Sequence, residues 1–145
     1  MCIRDRSSLA QFERCSRLAQ YRAQMITALL VSVAAAIGAV CRYGLDLAIQ
    51  RRHRGVFPLG TTTINVVGSL ILGIVTGLAA RHGLNARAAV VAGVGFCGGF
   101  TTFSTWTWET LALAEARANR LALVNVIGSI GLGLAAAAAG LALTN

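Results

Sequence analysis

Gly95 to Glu109 reads GFCGGFTTFSTWTWE, and it continues an uncharged apolar stretch that begins at Ala88. A lipid-facing helix needs no such mixture of glycines, hydroxyls and aromatic rings. A backbone that crosses hydrocarbon must satisfy its own hydrogen bonds. Dense glycine and hydroxyl there point to a helix broken beside a cavity or pore. The competing reading is an unbroken helix, with glycines for close crossing and Thr or Ser bonding back to the preceding turn. Gly93-Val-Gly95-Phe-Cys-Gly98 also matches GxGxxG. The dinucleotide meaning of that pattern needs a strand before it and a soluble βαβ unit, which an apolar span cannot supply.

Working outward, three more segments are long and apolar enough to cross a membrane, for which about 20 residues suffice. They are Met25 to Cys41, continuing through Arg42 to Ile49, then Gly60 to Ala80 and Leu121 to Thr144. With Ala88 to Trp108 they predict an all-α membrane protein of four transmembrane helices joined by short connections. The whole chain agrees: of 145 residues, 56% are apolar and only 12% charged. All 13 cations are arginine. They lie in the N-terminal segment and between spans and form no continuous stripe, which argues against nucleic acid as a partner and for membrane placement.

Arg51, Arg52, Arg54, Arg117 and Arg120 fall on one side and Arg81 and Arg87 on the other. Arg14, Arg17 and Arg22 nearly cancel that bias. So weak a bias is compatible with insertion in both orientations.

Residues 1–24 read as a poorly ordered or non-native extension, with 25–145 as the four-helix transmembrane domain. The alternative is an amphipathic surface helix using Leu9, Phe12, Leu18 and Tyr21. Cys2, Cys15, Cys41 and Cys97 show neither metal-ligand nor disulfide spacing. His53 and His82 read as incidental loop residues.

Polar residues inside the spans recur every four positions, on one helix face. The second span carries Thr61, Asn65, Ser69, Gly73 and Gly77, and the fourth carries Asn125, Ser129 and Gly133. Ser69, Gly73 and Gly77 are explained by close helix packing alone. A carboxamide in hydrocarbon is costly unless bonded, so Asn65 either joins helices or lines a polar path. Arg42 and Asp46, also four apart, read as a local pair at the membrane boundary or as a snorkelling arginine with a counter-charge. No nucleophile-plus-base set appears, and Glu109 and Glu115 have no acid–base partner, which excludes an enzyme.

These motifs together resemble the fluoride channel family (Fluc, also called CrcB). The resemblance rests on Gly38-Ala-Val-Cys-Arg42-Tyr43, Pro58-Leu-Gly-Thr61, Asn65-Val-Val-Gly-Ser69 and Gly95 to Thr105, in the family's order from about Met25 onward. It implies an antiparallel, dual-topology homodimer in a bacterial plasma or inner membrane, allowing passive fluoride efflux. Thr61, Asn65, Phe103, Ser104 and Trp106 fall on the family's fluoride pore. Gly98 and Thr101 match the backbone carbonyls of a structural sodium site. Arg42 matches its first-helix arginine. Trp106 departs from a phenylalanine. In the fourth helix Leu121, Asn125 and Ser129 stand where a tyrosine and two serines are usual, so Asn125 and Ser129 are the pore candidates there. Two other readings fit four short spans. One is a small multidrug-type exporter, which needs a membrane-embedded carboxylate that Met25 to Cys41 lacks. The other is a non-transporting assembly subunit.

Overall fold

The computed structural model describes residues 6–53 and 55–145, the side chains of 6–13 and 15 apart. It is all-helical among the described residues. Helix α1 runs Arg6–Arg52 and α2 runs Leu59–Arg81. The third span is composite: α3 (Ala86–Val90), a π-helical segment (Val91–Cys97), α4 (Gly98–Phe100) and, after a break, α5 (Ser104–Glu115). Helix α6 runs Asn119–Ala142. Four spans, Ser16–Arg52, Leu59–Arg81, Ala86–Glu115 and Asn119–Ala142, are long and apolar enough to cross a membrane. This is a multi-pass membrane protein.

Helix α1 passes through Met25 without interruption. Leu18 and Tyr21 on it are exposed, while Leu9 and Phe12 lie outside the described side chains. Cys2 also lies outside the described residues, as does the side chain of Cys15. Cys41 is exposed and Cys97 buried.

Small residues set how closely the helices approach. Helix α2 packs most extensively on α6. A Cβ added at Gly73 would strike the Ala137 backbone, and one at Gly140 the Leu70 carbonyl. The row of small residues on α2 is therefore a packing face along its C-terminal half. Helix α1 packs on the π segment and α4. There a Cβ at Gly38 would strike the Phe96 carbonyl, and one at Gly99 the Ala35 carbonyl. Backbones held this close exchange dispersion contacts that larger side chains would prevent.

The turn between α5 and α6 closes with Ala118 N–H on the Leu113 carbonyl (2.9 Å) and Arg117 N–H on the Ala114 carbonyl (3.0 Å). This is a Schellman-type cap with Arg117 at φ 60°, a position that ordinarily takes glycine. His82 is not incidental: its Nε2 lies 3.0 Å from the Thr144 carbonyl oxygen and ties the loop after α2 to the end of α6.

Candidate functional site

The break in the third span falls at Thr101–Phe103, one turn later than the glycines suggest. Gly98 and Gly99 are helical, Gly98 at φ −63°, ψ −37°. Thr101 is extended at φ −82°, ψ 163°. The break expected within Gly95 to Glu109 is present, but it begins at Thr101 and leaves Gly98 and Gly99 in the helix. Gly99 makes room for the α1 backbone, whereas among the described residues a Cβ at Gly98 would meet nothing within 4 Å. The widened π turn just before also escaped the sequence reading, although such turns are frequent near functional sites.

Asn65 holds the break. Its side-chain nitrogen donates to the Thr102 carbonyl (3.0 Å), and its side-chain oxygen accepts from the Thr102 N–H (2.9 Å). The carboxamide thus stands in for a neighbouring peptide unit. It satisfies both backbone groups of one residue where the helix cannot. Because the Thr102 N–H is spent on Asn65, the Gly98 carbonyl loses the donor that a continuous helix would aim at it. From the other side Arg42 Nη1 reaches the Thr101 carbonyl oxygen at 3.4 Å. Of the two readings of Arg42, the local pair with Asp46 is corrected: Arg42 turns to the break, and Asp46 accepts from Gln50 Nε2 (2.8 Å). Thr102 Oγ1 accepts from the Thr105 amide (3.3 Å) and donates to Thr105 Oγ1 (3.0 Å), so it caps the restarting helix.

A cavity of about 440 Å³ opens beside the break. Its lining includes Asn65, Ser69, Gly98, Thr101, Phe103, Trp106 and Ser129. Phe103 and Trp106 face each other with ring centroids 5.4 Å apart, tilted by 43°. Phe103 is 76% exposed in the single chain. Ser104 is exposed too, its Oγ 3.4 Å from Thr102 Oγ1. The structure therefore gathers Asn65, Phe103, Trp106, Ser129, Gly98 and Thr101 at one cavity, with Ser104 next to the Thr102 cap.

Two candidates are placed elsewhere. Thr61, 3% exposed, donates to Glu109 Oε1 (2.9 Å), one helical turn along α2 from Asn65. Asn125 is 0% exposed and does not reach the cavity. It is the centre of a buried cluster. Its Nδ2 donates to Thr110 Oγ1 (2.8 Å), and its Oδ1 accepts from Thr62 (3.3 Å) and Ser129 (3.4 Å). Trp106 Nε1 donates to the Asn125 carbonyl (3.4 Å), so the extra donor that tryptophan brings points into the protein. The matched faces of α2 and α6 meet at the cavity through Asn65, Ser69 and Ser129, but the two asparagines diverge, Asn65 turning to backbone and Asn125 to side chains.

Sequence reasoning missed Thr62, Thr110 and Glu109. Thr62 sits one position off the row that drew attention. Thr110 lies beyond the motif, four residues past Trp106, a spacing that puts it on the same face. Glu109 was set aside for want of a catalytic partner, although a carboxylate at the end of an apolar span is itself a signal. Among the described residues its buried Oε2 has no hydrogen-bond partner. With Asp46, Gln50 and His53 it borders a second cavity, of about 300 Å³.

A sequence profile described as "CrcB-like protein, Camphor Resistance (CrcB)" matches residues 29–141. The chain belongs to the CrcB family. It is 47% identical over 116 residues to "Fluoride-specific ion channel FluC 1" of Leifsonia xyli subsp. xyli, covering 80% of this chain and 85% of that protein. It is 49% identical over 123 residues to a protein of the same name from Frankia casuarinae (79% and 93% covered). "Fluoride-specific ion channel FluC 2" of Mycobacterium bovis is 47% identical over 104 residues (72% and 79% covered). The CrcB match spans all four helices and both sides of the break.

Proposed function

We propose that this protein is a passive fluoride channel of a bacterial plasma membrane, allowing fluoride to leave the cytoplasm. The observation that carries the reading is the break at Thr101–Phe103, held open by Asn65 beside a cavity lined by two aromatic rings. Fluoride is strongly hydrated, so a pore must replace its water shell with donors or with the positive edges of rings. Phe103 and Trp106 supply edges, and Ser104 and Ser129 supply hydroxyls. Asn65 acts by keeping the break open, and Thr61 continues the polar row towards Glu109. The CrcB relatives named as fluoride-specific channels support the same ion.

The working unit in this proposal is an antiparallel homodimer inserted in both orientations. The single chain leaves Phe103, Gly98 and the hydroxyls of Ser104, Thr105 and Thr107 exposed near the break. Irregular backbone at membrane depth is tolerated only when protein or water covers it, and a second copy supplies that cover. The nearly balanced arginines favour no single orientation.

A sodium ion fits the residues present. The Gly98 carbonyl is relieved of its helical donor, and the Thr101 carbonyl, which has two lone pairs, carries one long contact from Arg42. Uncharged carbonyls at an unwound turn suit a small monovalent cation. Gly98 and Thr101 would hold it, and the ion would contribute positive charge where two copies meet.

The test is ion-selective-electrode measurement of efflux from proteoliposomes. Fluoride is expected to leave far faster than chloride, and fluoride efflux no faster than chloride efflux overturns the proposal. Phe103→Ile is expected to lower fluoride flux while leaving the fold intact, since Phe103 is exposed. Unchanged flux removes the ring from the pathway. Light scattering in detergent is expected to give twice the 15.1 kDa chain mass.

A further inference from the structure

The departure at Trp106 has its own support in the protein. Thr110 lies one helical turn after it on α5, and its hydroxyl has one proton. That proton is spent on the Trp106 carbonyl (2.8 Å). Thr110 Oγ1 therefore meets Asn125 as an acceptor only. This fixes which way the Asn125 carboxamide faces: Nδ2 towards Thr110 (2.8 Å) and Oδ1 towards Thr62 and Ser129. The indole Nε1 closes the loop on the Asn125 carbonyl (3.4 Å). Backbone, hydroxyl, carboxamide and indole form one ring of bonds between α5 and α6, at a residue with no solvent exposure. The torsion that turns an indole about its attachment is broad and otherwise weakly fixed.

We propose that Thr110, acting through Asn125, is a positioning residue for Trp106: it fixes the tilt of the indole against Phe103, and with it the discrimination of fluoride from chloride. The inference rests on Trp106 lying on the fluoride path. Phenylalanine at this position has no N–H and cannot use the brace, so Thr110 serves the tryptophan specifically.

The test uses full-length protein carrying Trp108→Phe. Trp108 is exposed and outside the brace, and the chain has only two tryptophans, so Trp106 becomes the sole emitter. Thr110→Val is expected to shift Trp106 emission. It is also expected to lower the fluoride-over-chloride flux ratio roughly threefold to tenfold, the size of one lost hydrogen bond. Thr110→Ser is expected to restore both. Should Thr110→Val fail to assemble, Thr110→Cys, a weaker acceptor of similar shape, replaces it.

The decisive arm repeats the flux measurement with Trp106→Phe, where Thr110→Val is expected to change nothing. An equal loss of selectivity in both backgrounds shows a general packing role and overturns the inference, as does unchanged Trp106 emission in Thr110→Val. A shifted emission with unchanged flux and selectivity upholds the brace and removes Trp106 from the fluoride path.

Discussion

Asn65 and Asn125 begin the same motif, an asparagine followed four residues later by a serine on an apolar helix, yet they do different work. Asn65 is half-buried and spends its carboxamide on the backbone of Thr102. Asn125 is fully buried and spends its carboxamide on the hydroxyls of Thr62, Thr110 and Ser129. The first keeps a helix broken and the second keeps α6 joined to both α2 and α5. The difference follows from what faces each residue. Helix α2 meets the third span where that span has lost its ladder of backbone bonds, so an amide finds peptide groups to satisfy. Helix α6 meets α5 and α2 where their ladders are intact, so an amide finds only side chains. A buried carboxamide takes whatever unsatisfied partners its neighbours present.

The largest effect expected from this contrast is that of Asn65→Ala. It orphans both the N–H and the carbonyl of Thr102 in a membrane interior, at about 1–3 kcal/mol for each group. Fluoride flux is expected to vanish, and thermal unfolding in detergent to come at clearly lower temperature. Asn65→Asp is not expected to rescue it, since a carboxylate accepts from the N–H but sets an oxygen against the Thr102 carbonyl. Should Asn65→Ala keep wild-type flux, the claim that this residue holds the break is broken.

Next in size is Asn125→Leu. It removes one partner from each of three hydroxyls but orphans no backbone group. Hydroxyls rotate, and Thr62 still has the Pro58 carbonyl at 3.1 Å. The expected loss is about 1–3 kcal/mol in all, with flux reduced and not abolished. Thermal unfolding beside Asn65→Ala sharpens the contrast. Asn125→Leu proving the more damaging of the two would reverse it.

Much of this architecture was legible in the sequence. Four apolar spans, the polar anomaly at Gly95 to Glu109 and the small-residue face of α2 all depend on local pattern, and the structure places them as that pattern implies. What was not legible depends on pairing across spans. Nothing local distinguishes Asn65 from Asn125, because their partners lie 37 and 15 residues away. The sequence pattern points to a break somewhere within Gly95 to Glu109, where the glycines are the permissive residues. Gly99 instead makes room for α1, and the chain breaks at Thr101, where Asn65 and Arg42 offer substitute bonds. Permissive residues mark where a helix is able to break, while available partners decide where it does. Thr110 was overlooked for the same reason: its acceptor role exists only because Asn125 arrives from another helix.

The smallest expected effect comes from the paired serines, Ser69 four residues after Asn65 and Ser129 four residues after Asn125. Ser129 Oγ lies 3.4 Å from both Asn125 Oδ1 and Thr62 Oγ1, within the buried cluster. Ser69 lines the cavity, close to where a Cβ at Gly133 would stand (3.4 Å), and it adds nothing to the hold of Asn65 on Thr102. Ser129→Ala is therefore expected to cost about 0.5–1.5 kcal/mol, one modest hydrogen bond. Ser69→Ala, a change of one hydroxyl on a cavity wall, is expected to fall within about 0.5 kcal/mol of the parent. Denaturant unfolding of both proteins side by side reads the difference. Equal losses would mean that the two asparagine–serine pairs are the same device after all. A loss confined to Ser129 would mean that on α6 the serine belongs to the asparagine's network as well as to the cavity wall, and on α2 to the cavity wall alone.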